Sequence, residues 1–177
     1  MIATGRGNKP QFEAISISNP HFRDLITDPV YLLAFGFGSG LARKAPGTFG
    51  SVAAIPPYLL MSHLPLWAYA AVVASAFALG VFICDQAAKR LRIKDPAGIV
   101  WDEFVGLWIA LFMLPQGWWY LVLGFLLFRF FDILKPWPVN YVDRNVTGGL
   151  GIMVDDVAAG LYALLVVQLI AAVAAAL

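Results

Sequence analysis

The longest uninterrupted pattern in the chain is apolar. From Ala45 to Cys84, 40 residues pass without a Lys, Arg, Asp or Glu. Pro65 stands near the middle, so the stretch predicts a helical hairpin, Phe49–Leu64 one way and Leu66–Cys84 back. Pro56-Pro57 predicts a kink in the first arm, with freed carbonyls that neighbouring helices must satisfy. Asp85 to Asp95 reads as a charged loop and Asp95-Pro96-Ala97-Gly98 as a turn. Apolar sequence resumes over Ile99–Leu114, turns at Pro115-Gln116-Gly117, passes an interfacial aromatic cluster at Trp118-Trp119-Tyr120, and returns over Leu121–Phe131. The part from Asp102 to Leu114 is short for a full span, which calls for local bilayer thinning or a wet cavity. After a polar loop punctuated by Pro and Gly, Ile152–Leu177 predicts one last helix. Near the start, Pro29–Ala42 is apolar but interrupted by Gly36, Gly38 and Gly40. A helix of that length reaches about 21 Å against a hydrocarbon core of roughly 30 Å, so it reads as an interfacial or re-entrant element.

Composition turns this pattern into a fold class. The chain is 60% hydrophobic and 13% charged, with a mean hydropathy of +0.76. Soluble domains run at roughly 45–50% apolar and about 25% charged. The expectation is an all-α, polytopic integral membrane helix bundle: about five membrane-embedded helices plus the short N-terminal element. Residues 1–28 form a cytoplasmic arm and residues 29–177 a membrane-embedded domain. All 12 Lys and Arg fall in the arm, at Arg43-Lys44, over Lys89–Lys94, or beside the central loop; the turns near Ser62–Leu66 and Leu114–Trp118 carry none. The positive-inside rule then places the basic side in the cytoplasm and the C-terminus outside. Net charge is +1, so bulk electrostatics names no partner and gives no footprint for nucleic acid. The single cysteine, Cys84, excludes an intrachain disulfide, and no apolar leader precedes Tyr31. His63 reads as a solvated residue of the outer turn.

Charge matters most where it enters apolar helices. Asp102-Glu103 opens one predicted helix and Asp155-Asp156 lies early in another, while Arg129, Asp132 and Lys135 recur at i, i+3 and i+6 along one helical face. Each set has a structural reading alone: complementation of a helix dipole, or a snorkelling ladder of ion pairs. Together, these carboxylates near one membrane surface would repel strongly unless cations neutralise them. Ionisable residues in membrane helices also mark function by default. Hard cations such as Mg²⁺ take oxygen ligands and substrate phosphate, and two His with one Cys build no softer site. Asp102, Glu103, Asp132, Asp155 and Asp156 are therefore the expected metal ligands. Asp102, Asp132, Asp156 and Lys135 are the expected catalytic residues. Whether Asp85 and Asp95 join them is open.

A second set runs from Gly36 to Ser51. Its glycines let backbone N–H groups approach an anion, Lys44 adds a point charge, Thr48 and Ser51 add hydroxyls, and a helix start follows. Lys44, Thr48, Ser51, Arg129 and Lys135 are the expected phosphate contacts. The pattern is not a Walker A loop, and glycines also serve close helix packing in membranes. Cys84 to Arg90 fits Cys-x5-Arg, but the stretch lacks Gly, follows an apolar helix, and sets Asp85 beside the thiol. Cys84 reads as a packing residue instead. A histidine nucleophile needs more than His21 and His63, and Asp155-Asp156 is adjacent where an Asp-x-Asp phosphatase pair would be spaced.

Four blocks stand in order. They are Gly38-Ser39-Gly40 with Lys44 to Ser51; Asp95-Pro96 with Val100 to Gly106; Phe130 to Pro138; and Gly149 to Gly160. In these the chain resembles the bacterial phosphatidylglycerophosphatase A family, from about Tyr31 to Ala163. Trp101 stands where the family often has an aliphatic residue. The resemblance implies Mg²⁺-dependent hydrolysis of the phosphate monoester of phosphatidylglycerophosphate, giving phosphatidylglycerol and inorganic phosphate. The setting it implies is the cytoplasmic face of the bacterial inner membrane. A metal-activated water and an aspartyl-phosphate intermediate both fit the residues. The alternatives are a phosphatase for another lipid phosphate and a non-enzymatic transporter. A transporter predicts charge near mid-span, which Ala45–Cys84 and Val157–Leu177 lack.

Overall fold

The computed structural model describes residues 20–94, 96–137, 139–140 and 146–176, and among these every regular element is helical. Short helices α1 (Phe22–Thr27) and α2 (Pro29–Ala34) open the fold, followed by a 3-10 segment over Gly36–Leu41. Then come α3 (Pro46–Ala53), α4 (Ile55–Met61), α5 (Leu66–Leu91), α6 (Trp101–Ala110), α7 (Trp118–Leu134) and α8 (Gly148–Ala176). Of the expected arm, residues 1–19 lie outside the described residues. Its end packs onto the body, since Leu25 of α1 is fully buried.

Local chemistry explains most boundaries. The Asp28 carboxylate caps α2 by accepting the Val30 N–H at 2.9 Å, with Pro29 in the first turn where its missing N–H costs nothing. The first hairpin arm breaks at Ala54, and Pro56 falls in the first turn of α4. The Trp108 indole N–H donates to the Ala54 carbonyl at that break, at 2.9 Å. The return arm runs further than expected: Asp85 to Leu91 is helix, not loop. Nothing in Asp85–Leu91 breaks a helix, and Lys89 pairs with Asp85 one turn away at 2.6 Å. Arg92 ends α5 in the left-handed region, φ 56°. The last helix likewise starts at Gly148, before Ile152, so Asp155 and Asp156 lie two turns inside it. Complementation of a helix N-terminus therefore does not account for them.

Two described helices, α5 and α8, are long and apolar enough to cross a membrane. From Val157 to Ala176 there is no charged residue, and at 1.5 Å per residue this is about 30 Å of helix, the thickness of a hydrocarbon core. Helix α6 sits at the centre, with Phe104, Val105, Leu107, Trp108 and Ala110 all buried. Its neighbours come close because small residues allow it. A Cβ on Gly160 of α8 would stand 2.4 Å from the Gly106 carbonyl of α6, and one on Gly149 would stand 1.9 Å from the Val81 carbonyl of α5. The first contact, with Gln168 of α8 donating to the Phe112 and Met113 carbonyls just past α6, sets α6 and α8 side by side in parallel. The second brings the charged C-terminal end of α5 to the charged N-terminal end of α8.

Candidate functional site

The Gly106–Gly160 contact fixes a register. Asp102 lies one turn before Gly106, and Asp156 one turn before Gly160, so the crossing sets the two carboxylates beside each other. Glu103 joins them: carboxylate oxygens of Asp102, Glu103 and Asp156 all lie within 4.8 Å of one another. Helix α7 runs the other way, and its C-terminal turns bring Asp132 beside Asp156. Asp155 flanks the group, 8% exposed, and Asp156 is 3% exposed.

Among the described residues, two cations meet these five carboxylates. Arg129 sets Nη1 2.8 Å from Asp132 Oδ2 and 3.8 Å from Glu103 Oε1. Lys135 sets Nζ 2.7 Å from Asp155 Oδ2. Among the described residues, five carboxylates against two cations leave a formal excess of negative charge. Glu103 Oε2 and Asp156 Oδ2 are buried without a hydrogen-bond partner among the described residues. Buried acceptors of this kind are costly unless something positive or a proton meets them. The donor set is all oxygen, which suits a hard divalent cation.

The Gly-rich segment reaches the site at one point. A Cβ on Gly47 would stand 2.2 Å from Glu103 Oε1 and 3.2 Å from the Arg129 guanidinium. Ser51, one turn along α3, is fully buried. Its hydroxyl donates to the Gly47 carbonyl at 2.8 Å and accepts from Arg129 Nη1 at 3.4 Å. Thr48 is half-buried in the first turn of α3, and Lys44 is exposed on the preceding loop. The structure thus gathers Asp102, Glu103, Asp132, Asp155, Asp156, Arg129, Lys135 and Ser51, and leaves Lys44 at the surface. Asp85 is engaged elsewhere: besides Lys89 it accepts the Gly149 N–H at 3.3 Å, capping α8. Asp95 lies outside the described residues.

Sequence reasoning did not single out Gly47, Gly106 and Gly160 as the residues that let the site close. A signal was present: Asp102-x-x-x-Gly106 and Asp156-x-x-x-Gly160 repeat one spacing on two helices.

Residues 32–171 match the phosphatidylglycerophosphatase A family. The chain belongs to this family. A phosphatidylglycerophosphatase A of Escherichia coli K12 is 50% identical over 136 residues, covering 76% of this chain and 79% of that protein. One from Haemophilus influenzae is 44% identical over 152 residues, covering 85% and 93%. A Bacteroides thetaiotaomicron protein, provisionally named a phosphatidylinositol-3-phosphatase, is 40% identical over 147 residues, covering 77% and 89%. No solved structure matches. Membership makes the chain an enzyme of phospholipid metabolism, a phosphoric monoester hydrolase. Every carboxylate of the cluster lies inside the matched span.

Proposed function

We propose that this enzyme hydrolyses the phosphate monoester of phosphatidylglycerophosphate to phosphatidylglycerol and inorganic phosphate. The reaction depends on Mg²⁺ and takes place at the cytoplasmic face of the bacterial inner membrane. The observation that carries this reading is the all-oxygen cluster of half-buried Asp102 and Glu103 with buried Asp156, within a phosphatase family. Those three residues, with Asp132 and Asp155 beside them, would hold the cation. A divalent cation bound there neutralises phosphate charge and makes a coordinated water more acidic.

The chain's own residues do the rest. Lys135, half-exposed at the rim and paired with Asp155, meets the phosphoryl oxygens and stabilises charge as it builds on them. Lys44 and Thr48 add contacts from the loop and first turn of α3. Arg129 holds Glu103 and Asp132 in place, and Ser51 acts at one remove by fixing Arg129. Asp132, which Arg129 holds at the edge of the group, is placed to take the proton that an attacking water gives up. Helices α5 and α8 cross the bilayer. The α3–α4 arm, α6 and α7 are embedded beside them, giving about five membrane-embedded helices, with α2 and the 3-10 segment at the interface.

Phosphate release from a panel of lipid phosphates in detergent tests the reading. The expected result is release from phosphatidylglycerophosphate with Mg²⁺ and none with EDTA. Asp132→Asn and Asp156→Asn should each lose about a hundredfold or more of that rate, roughly 2.7 kcal/mol of barrier, while still inserting in the membrane. Equal turnover of phosphatidylinositol-3-phosphate would widen the headgroup range. Full activity in EDTA, or in both variants, would overturn the site.

A further inference from the structure

Beside the carboxylate cluster lies an apolar groove of about 460 Å³ between α5, α6 and α8. Phe77 and Val157 line it nearest the cluster, and Tyr69 and Phe112 line its far end. It is dry by construction, because the Tyr69 hydroxyl, its one polar side-chain group, donates to the Trp108 carbonyl at 2.7 Å. We propose that this groove seats an acyl chain of the substrate lipid, which rests on the phosphatase reading above.

Continuity with the site argues for that occupant. Val157 directly follows Asp156, and from Val157 to Leu164 the α8 wall descends about 10 Å along the helix. Ile109 on the α6 wall lies two turns past Asp102 on the same helical face. The helices that carry the carboxylates therefore also wall the groove. A phospholipid with its phosphate at the cluster must send its chains along those helices towards the bilayer centre. The rims are open: Ala70 and Ala74 on α5 and Leu161 on α8 are exposed. A chain can thus enter sideways from the bilayer. A second crevice of about 430 Å³ on the other flank of α5, against Trp101 and Trp108, touches only one carboxylate-bearing helix, α6, and has no α8 residue in its wall.

The test compares a long-chain phosphatidylglycerophosphate with a short-chain, water-soluble one. Ala74→Trp fills the groove from its rim and touches nothing in the catalytic cluster. It should raise KM for the long-chain lipid about tenfold with kcat retained, and leave the short-chain kcat/KM within about twofold. Leu161→Ala removes the opposite rim and should shift the same parameter in the same direction. It decides the matter if Ala74→Trp does not fold. Equal effects on both substrates would mean general damage, and no effect on either would mean a crevice for bulk lipid only; each result overturns the acyl seat. Wild-type enzyme that releases phosphate from neither substrate would instead overturn the underlying reading, and the acyl seat with it.

Discussion

At Gly47 the absence of a side chain decides where Glu103 and Arg129 sit. A methyl group there would overlap Glu103 Oε1 and crowd the guanidinium. Gly47→Ala should therefore cost about tenfold or more in kcat, because a misplacement near 1 Å is enough for such losses. The variant should keep its helix content by circular dichroism. Ser51→Ala should cost less, and it should leave the substrate KM unchanged if the hydroxyl acts only through Arg129. A raised KM would return Ser51 to the phosphate itself. At this scale the acidic residues were legible, because charge in apolar sequence is expensive enough to draw notice. The roles of Ser51 and Gly47 were not. A buried serine and an anion-binding serine look alike in a sequence, and only the packing of α3 against α6 and α7 separates them.

At the scale of helices, close backbone contact sets the distance between carboxylates. Gly160→Ala would press a methyl group onto the Gly106 carbonyl from 2.4 Å. Overpacking of this kind costs about 1–3 kcal/mol. The expected result is a lower apparent Tm in detergent, by several degrees, together with reduced phosphate release; unchanged values of both would show that the contact does not hold the register. The apolar segments and the proline break were visible in the hydrophobic pattern. The ends of α5 and α8 were not, because the charge over Asp85–Leu91 and the glycines Gly148, Gly149 and Gly151 both resemble loop in a sequence. Asp85 and Lys89 instead extend α5 by pairing along one face, and Asp85 then caps α8. The central position of the short α6 was equally hidden. Its aromatic residues Trp101, Phe104 and Trp108 share one face, while Val105, Leu107 and Ala110 are buried on the others, and burial by neighbours is invisible to a hydropathy pattern.

For the whole molecule, the claim is that charged ends gather on one side of the bilayer. The chain offers a direct check, since its only cysteine is Cys84. In a Cys84→Ser background, His63→Cys should react with an impermeant maleimide in intact spheroplasts, and Lys89→Cys only after lysis. The reverse pattern would invert the proposed orientation. The claim beneath all the others is that carboxylates from α6, α7 and α8 together bind a divalent cation. Mn²⁺ binding to the purified protein, followed by electron paramagnetic resonance, addresses it most directly. Saturable binding by the wild-type chain is expected, lost in an Asp102→Asn, Asp156→Asn double variant that keeps its helix content. Undiminished binding by that variant, or none by the wild type, would contradict it.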